Sequence, residues 1–133
     1  IIARIVQLLP QDVRAKVVIA DGSFNAAQVH QLIAACDVNV VSRFHAMIGS
    51  LAQGIPVLVI GWSHKYLEVM NGFEQADMVF DYSTDAPEDL FRAAEHLVEQ
   101  REFRARQIDY ALRAARKSSF GQIEALRRLL AGA

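Results

Sequence analysis

The sequence predicts an α/β fold in three layers, a mostly parallel sheet of about four strands flanked by helices. Three observations predict it. Short, almost wholly apolar runs recur along the chain, as in strands buried on both faces. Amphipathic stretches with apolar residues at helical spacing separate them. Capping residues, glycines and prolines mark the ends of those stretches.

The elements follow in order. Ile1, Ile2, Ile5, Val6 and Leu9 form the inner face of a helix that Pro10 stops. Gln11 to Ala15 is a polar connection. Lys16–Asp21 is the first apolar strand, and Gly22-Ser23 turns the chain. Asn25 with Gln28 makes a capping box for a helix whose apolar side is Val29, Leu32, Ile33 and Cys36. Asp37–Val41 is the second strand, and Ser42 is placed to cap a helix carrying Phe44, Met47, Ile48 and Leu51. Gly54 suits a left-handed position after that helix, and Pro56 prevents its continuation.

Pro56–Gly61 is the third strand. Ser63 caps a short helix with Tyr66, Met70 and Phe73, ending near Asn71-Gly72. Asp77–Tyr82 is a fourth, more polar strand of edge character. Asp85-Ala86-Pro87-Glu88 starts a helix with a capping pair and a proline in its first turn. From about Glu102 to Leu130 the chain reads as helix, with a break at Ser118-Ser119. Such alternation implies right-handed crossovers and a Rossmann-like sheet, with ligands bound beyond the carboxyl ends of the strands. No internal repeat or linker divides the chain, so residues 1–133 read as one domain.

Composition narrows the class. Hydrophobic residues make up 53% and charged residues 22% of the 133, which argues against disorder. No apolar run approaches the roughly 20 residues of a membrane span, and no basic segment precedes an apolar one as in a signal peptide. A cytoplasmic location is expected. Cys36, the one cysteine, is expected as a small buried hydrophobe in a reducing compartment.

Charge is unevenly distributed. Nine of the fourteen basic residues fall from Arg92 onward, and seven acids without a Lys or Arg lie between Tyr66 and Phe91. A basic tail can mean nucleic acid. Here Glu95, Glu99, Glu102, Asp109 and Glu124 are interspersed with it, which favours pairing along a helix surface, and no nucleic-acid partner is expected.

The segment Val40–Ile48 carries the functional signal. A strand runs into a helix there, and a helix N-terminus offers unpaired N–H groups and partial positive charge to an anion. Arg43 adds a planar fork for a carboxylate or phosphate. Its alternative is a structural arginine bonding loop carbonyls or an acid such as Asp21. His45, in the first helical turn, is placed to donate to a phosphate or exchange protons, against a capping or half-buried role. His64 and Lys65 follow the next strand and bring further positive charge to the same edge if the two loops converge. Trp62 either walls a pocket or packs as core. His30 and His96 lie within helix patterns and receive no role.

Other chemistries lack their signatures. There is no Walker-type phosphate loop, no dinucleotide fingerprint and no nucleophile elbow. No group of Cys or His has metal-ligand spacing, so no metal is expected. Asp77 and Asp81 share a strand face without an evident partner.

Ser42-Arg43-Phe44-His45-Ala46, then Gly54-Ile55-Pro56-Val57, then an aromatic three residues before Lys65, resembles the polysaccharide pyruvyl transferase family. The similarity runs from about Ala35 to Asp81. It implies the C-terminal, donor-binding half of a two-domain fold like that of the GT-B glycosyltransferases, with an N-terminal domain as partner. It implies transfer of pyruvate from phosphoenolpyruvate to the hydroxyls of a saccharide acceptor as a ketal, with phosphoenolpyruvate as substrate and no separate cofactor. Ser42, Arg43, Phe44, His64 and Lys65 would then bind substrate, and His45 would be catalytic. Trp62 stands where the family pattern has tyrosine. The acceptor and further basic groups are expected from the N-terminal half, leaving this chain inactive alone. The alternatives are a nucleotide-sugar glycosyltransferase domain, whose diphosphate the same edge would grip, and a non-catalytic docking module.

Overall fold

Val57–Ile60 is apolar on both faces and becomes the central strand of the sheet. In the computed structural model, which describes residues 2–131, two short helices come first, α1 (Ile2–Leu8) and α2 (Gln11–Arg14). Helix α3 (Ala26–Ala34), strand β1 (Asn39–Val41), helix α4 (Phe44–Ala52) and β2 (Val57–Ile60) follow. After them come α5 (His64–Gly72), a 3-10 turn (Ala76–Met78), β3 (Val79–Phe80), α6 (Pro87–Glu99) and the long α7 (Arg101–Ala131). The sheet has the order β1-β2-β3 and is parallel throughout, with Val41 opposite Val59 and Ile60 opposite Phe80.

The core is built around β2. Val57, Leu58 and Val59 are buried on both faces, with Met47 and Leu51 of α4, Met70 of α5, Leu97 of α6 and Ile108 of α7 packed about them. Ile108 is the point where α7 joins the core. Beyond Leu112 the helix runs on through exposed residues to Ala131.

Local signals account for most boundaries. Asn25 and Gln28 form the expected capping box, each side chain accepting from the other's backbone N–H. Ser63 caps α5 by accepting from the Lys65 amide. Gly54 adopts φ +74°, a left-handed value that a side chain would strain. Pro87 occupies the first turn of α6 as expected, but no side chain caps that helix. Asp85, assigned to the cap, instead accepts from the Asp81 amide.

The sheet has three strands where four were expected. Lys16–Asp21 carries no strand: it pairs with no neighbour, and Val18 is 92% exposed. An apolar run signals a tendency to be buried, whereas a strand also needs a partner ladder, and β1 pairs only with β2. The fourth strand shrinks to Val79–Phe80 because Ala76–Met78 coils into a 3-10 turn.

Three smaller expectations also change. Cys36 lies past the end of α3 and is exposed. Helix α7 passes through Ser118-Ser119 unbroken, Ser119 returning its hydroxyl to the Ala115 carbonyl. Of the residues expected on the inner face of the first helix, Ile2 and Ile5 are exposed and Val6 and Leu9 are half-buried, while Ile1 lies outside the described residues.

The basic tail pairs along its own helix, Arg113 with Asp109 and Arg128 with Glu124. Arg104 departs from that pattern. It is buried, its fork holding both oxygens of Asp77 at 2.6 and 3.2 Å and the Gln75 side-chain carbonyl at 2.9 Å. Gln75, itself buried, donates to Gln107 and to the Phe73 carbonyl. Asp77, without a partner in the sequence reading, therefore anchors α7 to the turn before β3.

Arg104→Ala leaves the buried Gln75 carbonyl oxygen without its donor and is expected to cost about 2–3 kcal/mol. Asp77→Asn, at a half-exposed position, should cost about 1 kcal/mol or less. Urea unfolding checks both. An Arg104→Ala loss within about 0.5 kcal/mol of zero would show the anchor to be dispensable.

Candidate functional site

Parallel pairing sends β1 and β2 out of the sheet at the same edge. Val41 lies opposite Val59, so the segment Ser42-Arg43 and the segment Gly61–Ser63 emerge side by side and each enters a helix. This edge is where ligands bind in open parallel sheets.

Tyr66 ties the two segments together. Its hydroxyl donates to the Ser42 carbonyl at 3.2 Å, and its ring lies 5.9 Å from that of Phe44. The ring is buried, and the space it fills exists because residue 61 is glycine. A Cβ at Gly61 would stand 2.6 Å from the Tyr66 ring. Sequence reading placed Tyr66 on the inner face of a helix but not in this linking role.

Residue 43, not Ser42, is the N-cap of α4, and no side chain caps the helix. An N-terminus without a side-chain cap leaves amides to water or to a ligand. His45 lies in the first turn and meets Phe44 edge-on, the ring centroids 6.2 Å apart. Phe44 is half-buried and packs against the core, so it fixes the position of Arg43 and His45 rather than reaching outward.

Ser42, Arg43, His45, His64 and Lys65 are all exposed at this edge. Among the described residues, the side chains of Arg43, His45, His64 and Lys65 have no hydrogen-bond or ion-pair partner. The alternative pairing of Arg43 with Asp21 is not formed. The structure thus brings the two loops together through their backbones and through Tyr66, while Arg43, His45, His64 and Lys65 are exposed.

A cavity of about 200 Å³ opens beside this cationic stretch, and it has the opposite character. Trp62, His64, Asp81 and Asp85 line it, without Arg43, His45 or Lys65. Trp62 walls it and does not pack as core. Asp81 accepts from the Ser83 hydroxyl at 2.6 Å and from the Ser83 amide at 2.9 Å, which together hold its carboxyl below the usual range. The edge is therefore divided, basic over β1 and β2 and acidic over β2 and β3. Among the described residues no group of His, Cys, Asp and Glu is arranged to hold a metal ion.

Comparison with known families bears on this edge directly. Residues 2–64 match the polysaccharide pyruvyl transferase family. The matched stretch supports the family suspected from Ser42–Ala46 and Gly54–Val57, and it contains Arg43, His45 and His64 but stops one residue short of Lys65. No curated protein and no solved structure matches the chain. The α/β parallel sheet is thus seen in this chain itself, and its relation to two-domain glycosyltransferases rests on the resemblance alone. No described helix is long and apolar enough to cross a membrane.

Tyr66→Phe keeps the ring and removes the bond to Ser42. Amide exchange at Ser42–His45 is expected to quicken several-fold while global stability falls by about 1 kcal/mol or less. Unchanged exchange there would show that the two loops hold their places without Tyr66.

Proposed function

We propose that this chain is the donor-binding half of a polysaccharide pyruvyl transferase and that phosphoenolpyruvate binds across the Arg43–His45 and Lys65 loops. The reading is carried by one observation: two loops bearing unpaired cationic side chains leave adjacent parallel strands at one edge, stitched by Tyr66. The family match over residues 2–64 supports the reaction class.

Phosphoenolpyruvate is a compact polyanion with a carboxylate and a phosphate a few bonds apart. Arg43 suits either group through its fork, and Lys65 supplies a point charge. The amides at the start of α4 add a fixed partial charge. Together these groups would stabilise the phosphate as it departs.

Ketal formation needs one proton delivered to the methylene carbon of the donor, after which that carbon becomes the methyl group. The neighbouring carbon then takes the oxygens of two sugar hydroxyls, and the carbon–oxygen bond to phosphate breaks. Of the two hydroxyl protons, one balances the proton placed on the methyl carbon and the other leaves on phosphate. His45 is the proton carrier in this scheme, since it sits in the first turn of α4 beside Arg43 and an imidazole can both give and take a proton. An N-terminal domain would close over the edge, exclude water and complete the acid–base set.

Calorimetric titration of phosphoenolpyruvate into this chain tests the reading. Arg43→Ala is expected to weaken binding roughly 10- to 100-fold, and Arg43→Lys by less. His45→Ala should reduce affinity only modestly, because its main task lies in the reaction. Equal affinity in wild type and Arg43→Ala, or no binding at all in the wild type, would overturn the donor assignment.

A further inference from the structure

The acidic side of the divided edge remains without a role in donor binding, since carboxylates repel a polyanion. Two adjacent cavities occupy it, of about 200 and 100 Å³, and Asp81 and Asp85 line both. Trp62 lines the larger and Tyr82 the smaller. The two rings meet edge to face at 5.9 Å, yet they remain 68% and 65% exposed. Leaving two large aromatic rings in water forgoes burial that would stabilise the fold, and an exposed aromatic pair at the mouth of a cavity is a recognition feature.

The polar groups are arranged to accept. One oxygen of Asp81 takes both Ser83 donors, and its second oxygen has no partner among the described residues. Asp85 is held in place by the Asp81 amide and the Thr84 hydroxyl. No lysine or arginine lines either cavity, so phosphates and carboxylates are disfavoured. A ligand that fits has apolar faces for the rings, hydroxyl donors for the carboxylates and no negative charge. Neutral pyranosides have that chemistry.

We infer that Trp62, Tyr82, Asp81 and Asp85 form a saccharide subsite on this chain, holding a neutral sugar of the acceptor beside the donor loops. As an acceptor site the inference rests on the proposed function. As a sugar site it stands on the cavities themselves. The larger cavity is walled by the same Trp62–His64 segment that leads into Lys65, so a sugar seated there lies next to the donor. Part of the acceptor contact, assigned from sequence entirely to an N-terminal domain, then belongs to this half.

Trp62 is the one tryptophan of the chain, so its emission reports on the subsite directly. The experiment titrates the chain with the methyl pyranosides of glucose, galactose and mannose, with glycerol and phosphoenolpyruvate as controls. A saturable change in emission is expected for at least one glycoside, and glycerol should give none. Tyr82→Ala, at an exposed position, and Asp81→Asn, which keeps the size of a half-buried side chain, should each weaken that response roughly tenfold. Arg43→Ala should leave it in place.

No saturable response to any of the glycosides would overturn the subsite, as would an equal response to glycerol or full affinity in both variants. Displacement of the sugar by phosphoenolpyruvate with loss of the response in Arg43→Ala would make the cavity part of the anion site, and would overturn it too. Failure of phosphoenolpyruvate to bind anywhere, with the sugar response intact, removes the donor reading alone.

Discussion

Everything at the functional edge depends on the parallel pairing of β1 with β2. Antiparallel strands would place the Ser42 and Gly61 loops at opposite ends of the sheet. Parallel strands need a long crossover, and α4 supplies it, burying Met47 and Leu51 against β2 as it returns. The same helix begins at Phe44 with its N-terminus at the edge. The crossover that permits the pairing therefore also presents Arg43 and His45, and the core and the site share one element.

The second constraint is the fit of Tyr66 against Gly61. Tyr66 is buried, and a Cβ at residue 61 would stand 2.6 Å from its ring. From the α5 side its hydroxyl reaches the Ser42 carbonyl on the β1 side. Beyond the paired strands, the two loops are joined by this bond and by the contact of the Tyr66 and Phe44 rings. At the other end of β3, the buried Arg104 holds Asp77 in the turn that leads into the strand before Asp81.

The parts of the fold legible in the sequence were those with local causes. The Asn25–Gln28 box, the Ser63 cap, the left-handed Gly54 and the strand Val57–Ile60 each follow from residues a few positions apart. What misled were features whose cause lies elsewhere in the chain. Lys16–Asp21 has the composition of a strand but no partner, and Asp77 was read without Arg104, twenty-seven residues away in sequence. At the site, charge and spacing pointed to Arg43, His45 and Lys65. The Tyr66 link and the Trp62–Tyr82 pair were not readable, because both are contacts between separate elements. The acids of the segment from Tyr66 to Phe91 were visible, but their gathering beside a cavity was not.

The central claim is that the loops after β1 and β2 form one anion site. Its most direct measurement is a titration of the isotopically labelled chain with phosphoenolpyruvate, followed by the amide resonances of residues 42–46 and 63–66. A single site requires both sets to shift together with one half-saturation point. Shifts confined to one loop, or two loops saturating at different concentrations, would contradict it.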